Sequence, residues 1–299
     1  LKLGMAAGIG FFLALIALKN AGIVTASEAT LITLGDLKSF PAVMALLGFF
    51  VITALASRGL RSAVILGIAF ASVIGWITGQ ADFIGFASMP PSVEPVLFQL
   101  DIEQAFDLSM LSIILTLLLV DLFDTAGTLV GVATRANLID ADGKLHRLDR
   151  ALLADSSATV VGALLGTSST TSFVESAAGV ESGGRTGLTA VTVGILFLVC
   201  LLFAPLAQSI PAYAASAALL FVSGSMAQSL LDIEWQDITE AAPAITTALM
   251  MPFSFSIADG IGVGFISFVL IKVVAGRQHD VPIALWFVAA IFGAKFSLL

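Results

Sequence analysis

Reactive side chains are scarce in this chain. Its 299 residues hold one cysteine, two histidines and one tyrosine, and 13 Lys and Arg stand against 21 Asp and Glu. A lone cysteine, Cys200, supplies neither a disulfide framework nor a Cys/His metal spacing. His146 and His279 sit in polar connections, so zinc, haem and Ser-His-Asp chemistry at membrane depth are not expected, and neither a metal nor a cofactor is assigned. No nucleophile-elbow pattern is present, and no histidine or lysine lies where it would activate a buried serine or threonine. The net charge of -8 argues against nucleic acid as a partner.

What the chain has in abundance is apolar surface. Hydrophobic residues make up 58%, charged residues only 11%, and the mean hydropathy is +1.06. That composition belongs to an integral, multi-pass membrane protein whose partner is the lipid bilayer. Crossing a bilayer takes about 17 to 25 apolar residues in a helix. Windows of that kind lie at 3–19, 41–57, 61–79, 108–131, 188–208, 210–228, 240–257, 258–275 and 281–298, with shorter pieces at 151–165 and 173–184. The expected fold class is therefore all-α. The chain opens Leu1-Lys2-Leu3 and runs straight into a span, so it is expected to be a piece of a longer protein.

Orientation follows from the basic residues. Arg58 and Arg61 share one tight connection and Arg135, Lys144, Arg147 and Arg150 another, which places both loops in the cytoplasm. The connection 80–107 carries Asp82, Glu94, Asp101, Glu103 and Asp107 without Lys or Arg, as the outer side requires. Ser254 to Gly262 reads as a tight turn between two spans or a break inside one, and Lys272 and Arg277 favour the turn. Segment 227–241, with Asp232, Glu234, Asp237 and Glu240 among Leu and Ile, reads as an amphipathic interfacial helix. Gly4, Gly8 and Gly10, and again Gly260, Gly262 and Gly264, permit close helix approach.

Function is sought at the acids inside apolar segments, because a carboxylate at mid-bilayer costs about 2.5 to 3.5 kcal/mol on insertion scales and persists mainly beside a cavity, partner or substrate. Asp121 and Asp124 lie three residues apart, followed by Thr125 and Thr128; Asp124 and Thr128 share a helix face. An interhelical hydrogen-bonded cluster is the alternative role for this group. The polar stretch 166–172 fits a short extended strand that leads into a half-helix containing Glu175 and Ser176. Ser172 and Glu175 fit a capping box, and at membrane depth a helix start also aims amides at a polar substrate. Asp155 reads first as a helix-start acid.

Three stretches carry a resemblance: Leu18 to Val24 (LKNAGIV), Asp121 to Ala133 (DLFDTAGTLVGVA) and Leu152 to Val180 (LLADSSATVVGALLGTSSTTSFVESAAGV). Together they resemble the AzgA-type purine permeases of the nucleobase/cation symporter-2 superfamily. The resemblance implies fourteen segments in two inverted repeats of seven, divided into a core and a gate, with this chain starting at segment five. On that mapping 1–80 are gate helices of the first repeat, 81–107 an outer connection, 108–208 core helices of the second repeat, and 209–299 its gate helices plus a C-terminal span at 281–298 that exceeds the plan.

The family's acids fall on Asp124, Asp155 and Glu175. The implied function is uptake of hypoxanthine, adenine or guanine with a proton or sodium ion as co-substrate, across a bacterial inner membrane, and not catalysis. Asp124 and Glu175 would bind the base, with Thr128, Thr171, Ser172 and Ser176 orienting it. Asp121, Asp155 and Thr125 would support the site or couple the proton. A homodimer is compatible with the sequence. The rivals are an anion carrier of the same architecture, which acids at both half-sites would repel, a membrane-embedded hydrolase, and a purely structural protein.

Overall fold

In the computed structural model the described residues are 1–107, 147–173, 176–181 and 183–297, together with 110, 113, 114, 117, 118, 121, 122, 125, 128, 129, 132, 133, 138 and 145. They are mostly helical. The apolar windows become α1 (Lys2–Asn20), α2 (Phe40–Ser57) and α3 (Ala63–Ile77), then α4 (Leu148–Leu164), α5 (Ser176–Glu181) and α6 (Gly187–Cys200). They continue as α7 (Ala212–Ala227), α8 (Ile238–Ser254), α9 (Ile257–Val274) and α10 (Ile283–Ser297). Leu3–Asn20, Phe40–Ser57, Gly187–Gln208 and Ala212–Asp232 are long and apolar enough to cross a membrane, and α3 and α10 are shorter apolar helices. The described residues between 110 and 133 are helical as well.

The chain divides into two compact units, one of Leu1–Ala87 with Ala204–Leu299 and one of Ser88–Phe203. In the first, α1 packs on α7 and α8 through its small residues. A β-carbon added at Gly10 would come within 2.9 Å of Met226 Cβ and 3.0 Å of the Ser223 carbonyl, so the approach depends on glycine. Ala42, Ala45, Ala71 and Ala214 let α2, α3 and α7 close around Met44 and Tyr213, where Phe40 meets the Tyr213 ring edge-on at 5.7 Å.

Between α1 and α2 lies an element that the hydropathy windows passed over. Val24–Ser27 and Leu31–Leu34 form an antiparallel hairpin with Val24 opposite Leu34 and Ser27 opposite Leu31. Its signal is β-branched: Val24, Thr25, Ile32 and Thr33.

Ser254 to Gly262 is a turn between two helices, as the basic residues beyond it indicated. Phe255 takes a left-handed conformation at φ 55°, ends α8, and the Ser256 hydroxyl then accepts the Asp259 amide at 3.1 Å to cap α9. Segment 227–241, by contrast, is not an interfacial helix. α7 runs out into a 3-10 turn at Gln228–Asp232, and Asp237 caps α8 by accepting the Thr239 amide at 2.9 Å. The alternation of acids with Leu and Ile therefore marks a helix end, a turn and a cap.

In the second unit, α4 ends in a Schellman motif: Thr167 N–H donates to the Gly162 carbonyl at 3.0 Å and Gly166 N–H to the Ala163 carbonyl at 3.0 Å. Gly166 supplies the required left-handed conformation at φ 80°, and a side chain there would also strike Val96. The reversal sends residues 167–173 back along α4.

Candidate functional site

The site grows out of that reversal. The strand expected at 166–172 is not formed: Gly166 belongs to the turn that ends α4, and 167–173 carry no regular secondary structure. A helix side chain takes the strand partner's place. Thr159, on α4, donates its hydroxyl to the Thr170 carbonyl at 3.1 Å and accepts the Thr170 amide at 3.2 Å, so both backbone groups of Thr170 are satisfied. Gly162, one turn further along α4, leaves room for Thr167 and Thr170 to lie against the helix.

Asp155, Thr159 and Gly162 fall at i, i+4 and i+7, on one face of α4. Asp121, Thr125 and Thr128 hold the same spacing on the helical stretch between 110 and 133. The two faces meet. Thr125, fully buried, donates its hydroxyl to both oxygens of Asp155, at 3.2 and 3.3 Å. Asp155 and the Ser169 hydroxyl are the polar neighbours of the Asp121 carboxyl.

One threonine therefore serves Asp155, and one serine approaches Asp121. Asp121 Oδ1 is buried without a hydrogen-bond partner among the described residues, and so is Ser172 Oγ. A buried acceptor left unpaired costs roughly 1 to 3 kcal/mol, more when charged, so such atoms mark a place where a donor from elsewhere would fit.

The sequence expectations fare unevenly here. Thr128 is buried, Thr171 and Ser172 are half-buried, and Ser176 is exposed at the start of the described part of α5. Asp124 and Glu175 lie outside the described residues. Asp155 is not a helix-start acid: α4 begins at Leu148, Asp149 occupies its first turn, and Asp155 stands two turns in. The capping box of Ser172 with Glu175 lies partly outside the described residues, because Glu175 does; among the described residues the Ser172 Oγ has no partner. Ser169 and Thr159 were not singled out from sequence. Thr159 could have been, because it follows Asp155 by one helical turn.

A second polar cluster lies in the first unit, at the open end of the α8–α9 hairpin. Lys272, 1% exposed, meets Glu240 Oε1 at 2.7 Å, and Arg277 meets Asp237 Oδ2 at 2.7 Å. At the other end of α9, Asp259 pairs with Lys295 of α10 at 2.8 Å.

Comparison with known proteins places this arrangement. Residues 2–263 match the xanthine/uracil permease model, described as a permease family. Over its full length the chain is 45% identical to the adenine permease AdeP of Escherichia coli (strain K12), spanning 67% of that protein. It is 40% identical to the guanine/hypoxanthine permease PbuO of Bacillus subtilis (strain 168), again over the whole chain and 70% of the relative. To the guanine/hypoxanthine permease GhxP of Escherichia coli O157:H7 it is 34% identical, over 94% of the chain and 64% of the relative. The first two alignments take in α10, which the family model does not reach.

Proposed function

The chain belongs to the xanthine/uracil permease family of integral membrane transporters, and from that premise we propose that it carries purine nucleobases, of the adenine, guanine and hypoxanthine type named for its relatives, into the cell. The observation that supports the site assignment is the buried Oδ1 of Asp121, which has no hydrogen-bond partner among the described residues, near Asp155 and Ser169.

A purine is a flat heterocycle with N–H donors along one edge. A carboxylate accepts from two adjacent N–H groups in one plane, and a hydroxyl beside it gives or receives the third contact. Asp121 joins Asp124 and Glu175 as an acceptor in this reading, while Thr128, Thr171, Ser172 and Ser176 orient the ring. Thr125 fixes Asp155 as the second carboxylate. Proton symport is the coupling proposed here, with Asp121 and Asp155 as the neighbouring carboxylates that would serve it.

The two units take the roles of substrate-carrying core, 88–203, and gate, 1–87 with 204–299, in a seven-plus-seven inverted repeat that alternates access. The membrane is a bacterial inner membrane. Competition uptake in the full-length protein tests class, substrate and coupling together, with radiolabelled hypoxanthine against a panel of purines and pyrimidines, with and without a proton gradient. Purines compete and a protonophore abolishes accumulation while sparing exchange. Competition by pyrimidines alone, or accumulation that ignores the gradient, overturns the substrate or the coupling respectively.

A further inference from the structure

Pro243 stands inside α8, five residues after its start. Proline has no amide hydrogen, so the Thr239 carbonyl lacks the bond that would tie the first turn to the rest of the helix. That turn is held instead from the neighbouring helix. Lys272 Nζ donates to Glu240 Oε1 at 2.7 Å and to Thr239 Oγ1 at 2.9 Å. Thr239 Oγ1 in turn donates to Asp237 Oδ1 at 2.7 Å and accepts Arg277 Nη1 at 3.1 Å. Its one hydrogen and two lone pairs are all used. Arg277 also reaches Asp237 Oδ2 at 2.7 Å and Asp280 Oδ2 at 2.9 Å.

Next to this network is a cavity of about 340 Å³, lined among others by Ile233, Asp237, Glu240, Ala244 and Arg277. Three things thus coincide: a proline that removes one backbone bond between a helical turn and the rest of α8, a buried lysine that grips that turn from the neighbouring helix, and a space lined by the turn's own carboxylates. We propose that residues 237–242 form a proline-hinged flap on this cavity, latched by Lys272, which opens without unwinding the rest of α8. The flap is independent of the substrate assignment.

Below Pro243 the helix has its own ties. Thr247 donates its hydroxyl to the Pro243 carbonyl at 2.8 Å and packs against Gly264 of α9. Residues 246–254 should therefore stay put when the latch is removed.

Hydrogen exchange by mass spectrometry on the purified full-length protein tests this. Lys272→Met keeps the volume and removes both donors. It is expected to speed exchange of the 238–242 amides at least tenfold, equivalent to about 1.4 kcal/mol, while 246–254 change less than twofold. Adding Pro243→Ala restores the missing bond and should slow the flap again at least threefold. Should Lys272→Met not fold, Glu240→Gln is read in its place, with at least a threefold rise over the same amides. No rise at 238–242, an equal rise along all of α8, or no slowing by Pro243→Ala overturns the proposal.

Discussion

Asp121→Asn should make the substrate-free protein more stable and its substrate complex weaker. Asp121 is an acid within an apolar segment, has the acid Asp155 as a neighbour, and leaves Oδ1 without a partner among the described residues. A mid-membrane carboxylate costs about 2.5 to 3.5 kcal/mol, and Ser169 offsets part of that. Asparagine keeps the shape and the acceptor oxygen but removes the charge, relieving on the order of 1 kcal/mol of the remainder. For a protein of this size that is roughly a 1 to 2 °C rise in the unfolding midpoint.

Binding moves the other way. A hydrogen bond to a charged acceptor contributes about 1.5 to 3 kcal/mol and a neutral one about 1, so the substitution forfeits roughly 1 to 2 kcal/mol, or about 5- to 30-fold in Kd. The assay is a thermal-shift titration of the purified full-length protein with adenine and hypoxanthine, wild type beside variant. Opposite signs in midpoint and affinity are the signature of an acid kept for its ligand. A lowered midpoint with unchanged affinity would show that Asp121 holds helices together, and the reasoning fails.

Thr125→Val removes the hydroxyl that serves both oxygens of Asp155; it should cost about 1.5 kcal/mol, and the loss should vanish in an Asp155→Asn background when unfolding midpoints are compared as a double-mutant cycle. Gly264→Ala puts a methyl against Thr247 and should destabilise by about 1 to 3 kcal/mol through overpacking. Gly224→Ala meets nothing within 4 Å and should instead gain about 0.5 to 1 kcal/mol of helix propensity in the same melt. Asp237 is held below the ordinary carboxylate range by the Thr239 hydroxyl first and Arg277 second. A lowered folded pKa means that its contribution is complete above the unfolded value of about 3.9 and is lost as pH falls toward the folded one. The midpoint gap between wild type and Asp237→Asn should thus stay constant from about pH 7 to 5 and narrow below about pH 4; narrowing already at pH 6 would contradict it.

Helices of the bundle were legible because hydrophobicity in this chain is a matter of run length: 3–19 became Lys2–Asn20, 41–57 became Phe40–Ser57, and 281–298 became Ile283–Ser297. Local polar patterns were harder, since their meaning depends on distant residues. Asp237 and Glu240 looked like one face of an interfacial helix, but their partners Arg277 and Lys272 lie 40 and 32 residues on, across a turn. Asp155 was misplaced because α4 starts without a side-chain cap, on Arg147 in a left-handed conformation. The hairpin at 24–34 was lost between two strong windows.

The division of labour between the paired acids turns on the same lesson, read in the other direction. Spacing of apolar residues located the span, but it is the spacing of its polar residues that sorts the acids. Asp121, Thr125 and Thr128 repeat at i, i+4 and i+7, and the structure sets that stripe against Asp155, Thr159 and Gly162 of α4, which repeat the same way. A hydroxyl follows each acid by one turn: Thr125 donates to Asp155 across the interface, and Thr159 holds Thr170, next in sequence to Ser169. Asp155 has both oxygens engaged, and Asp121 has one without a partner among the described residues. That difference is why the proposed function gives Asp121 the acceptor for a purine N–H, while Asp155 is tied to Thr125.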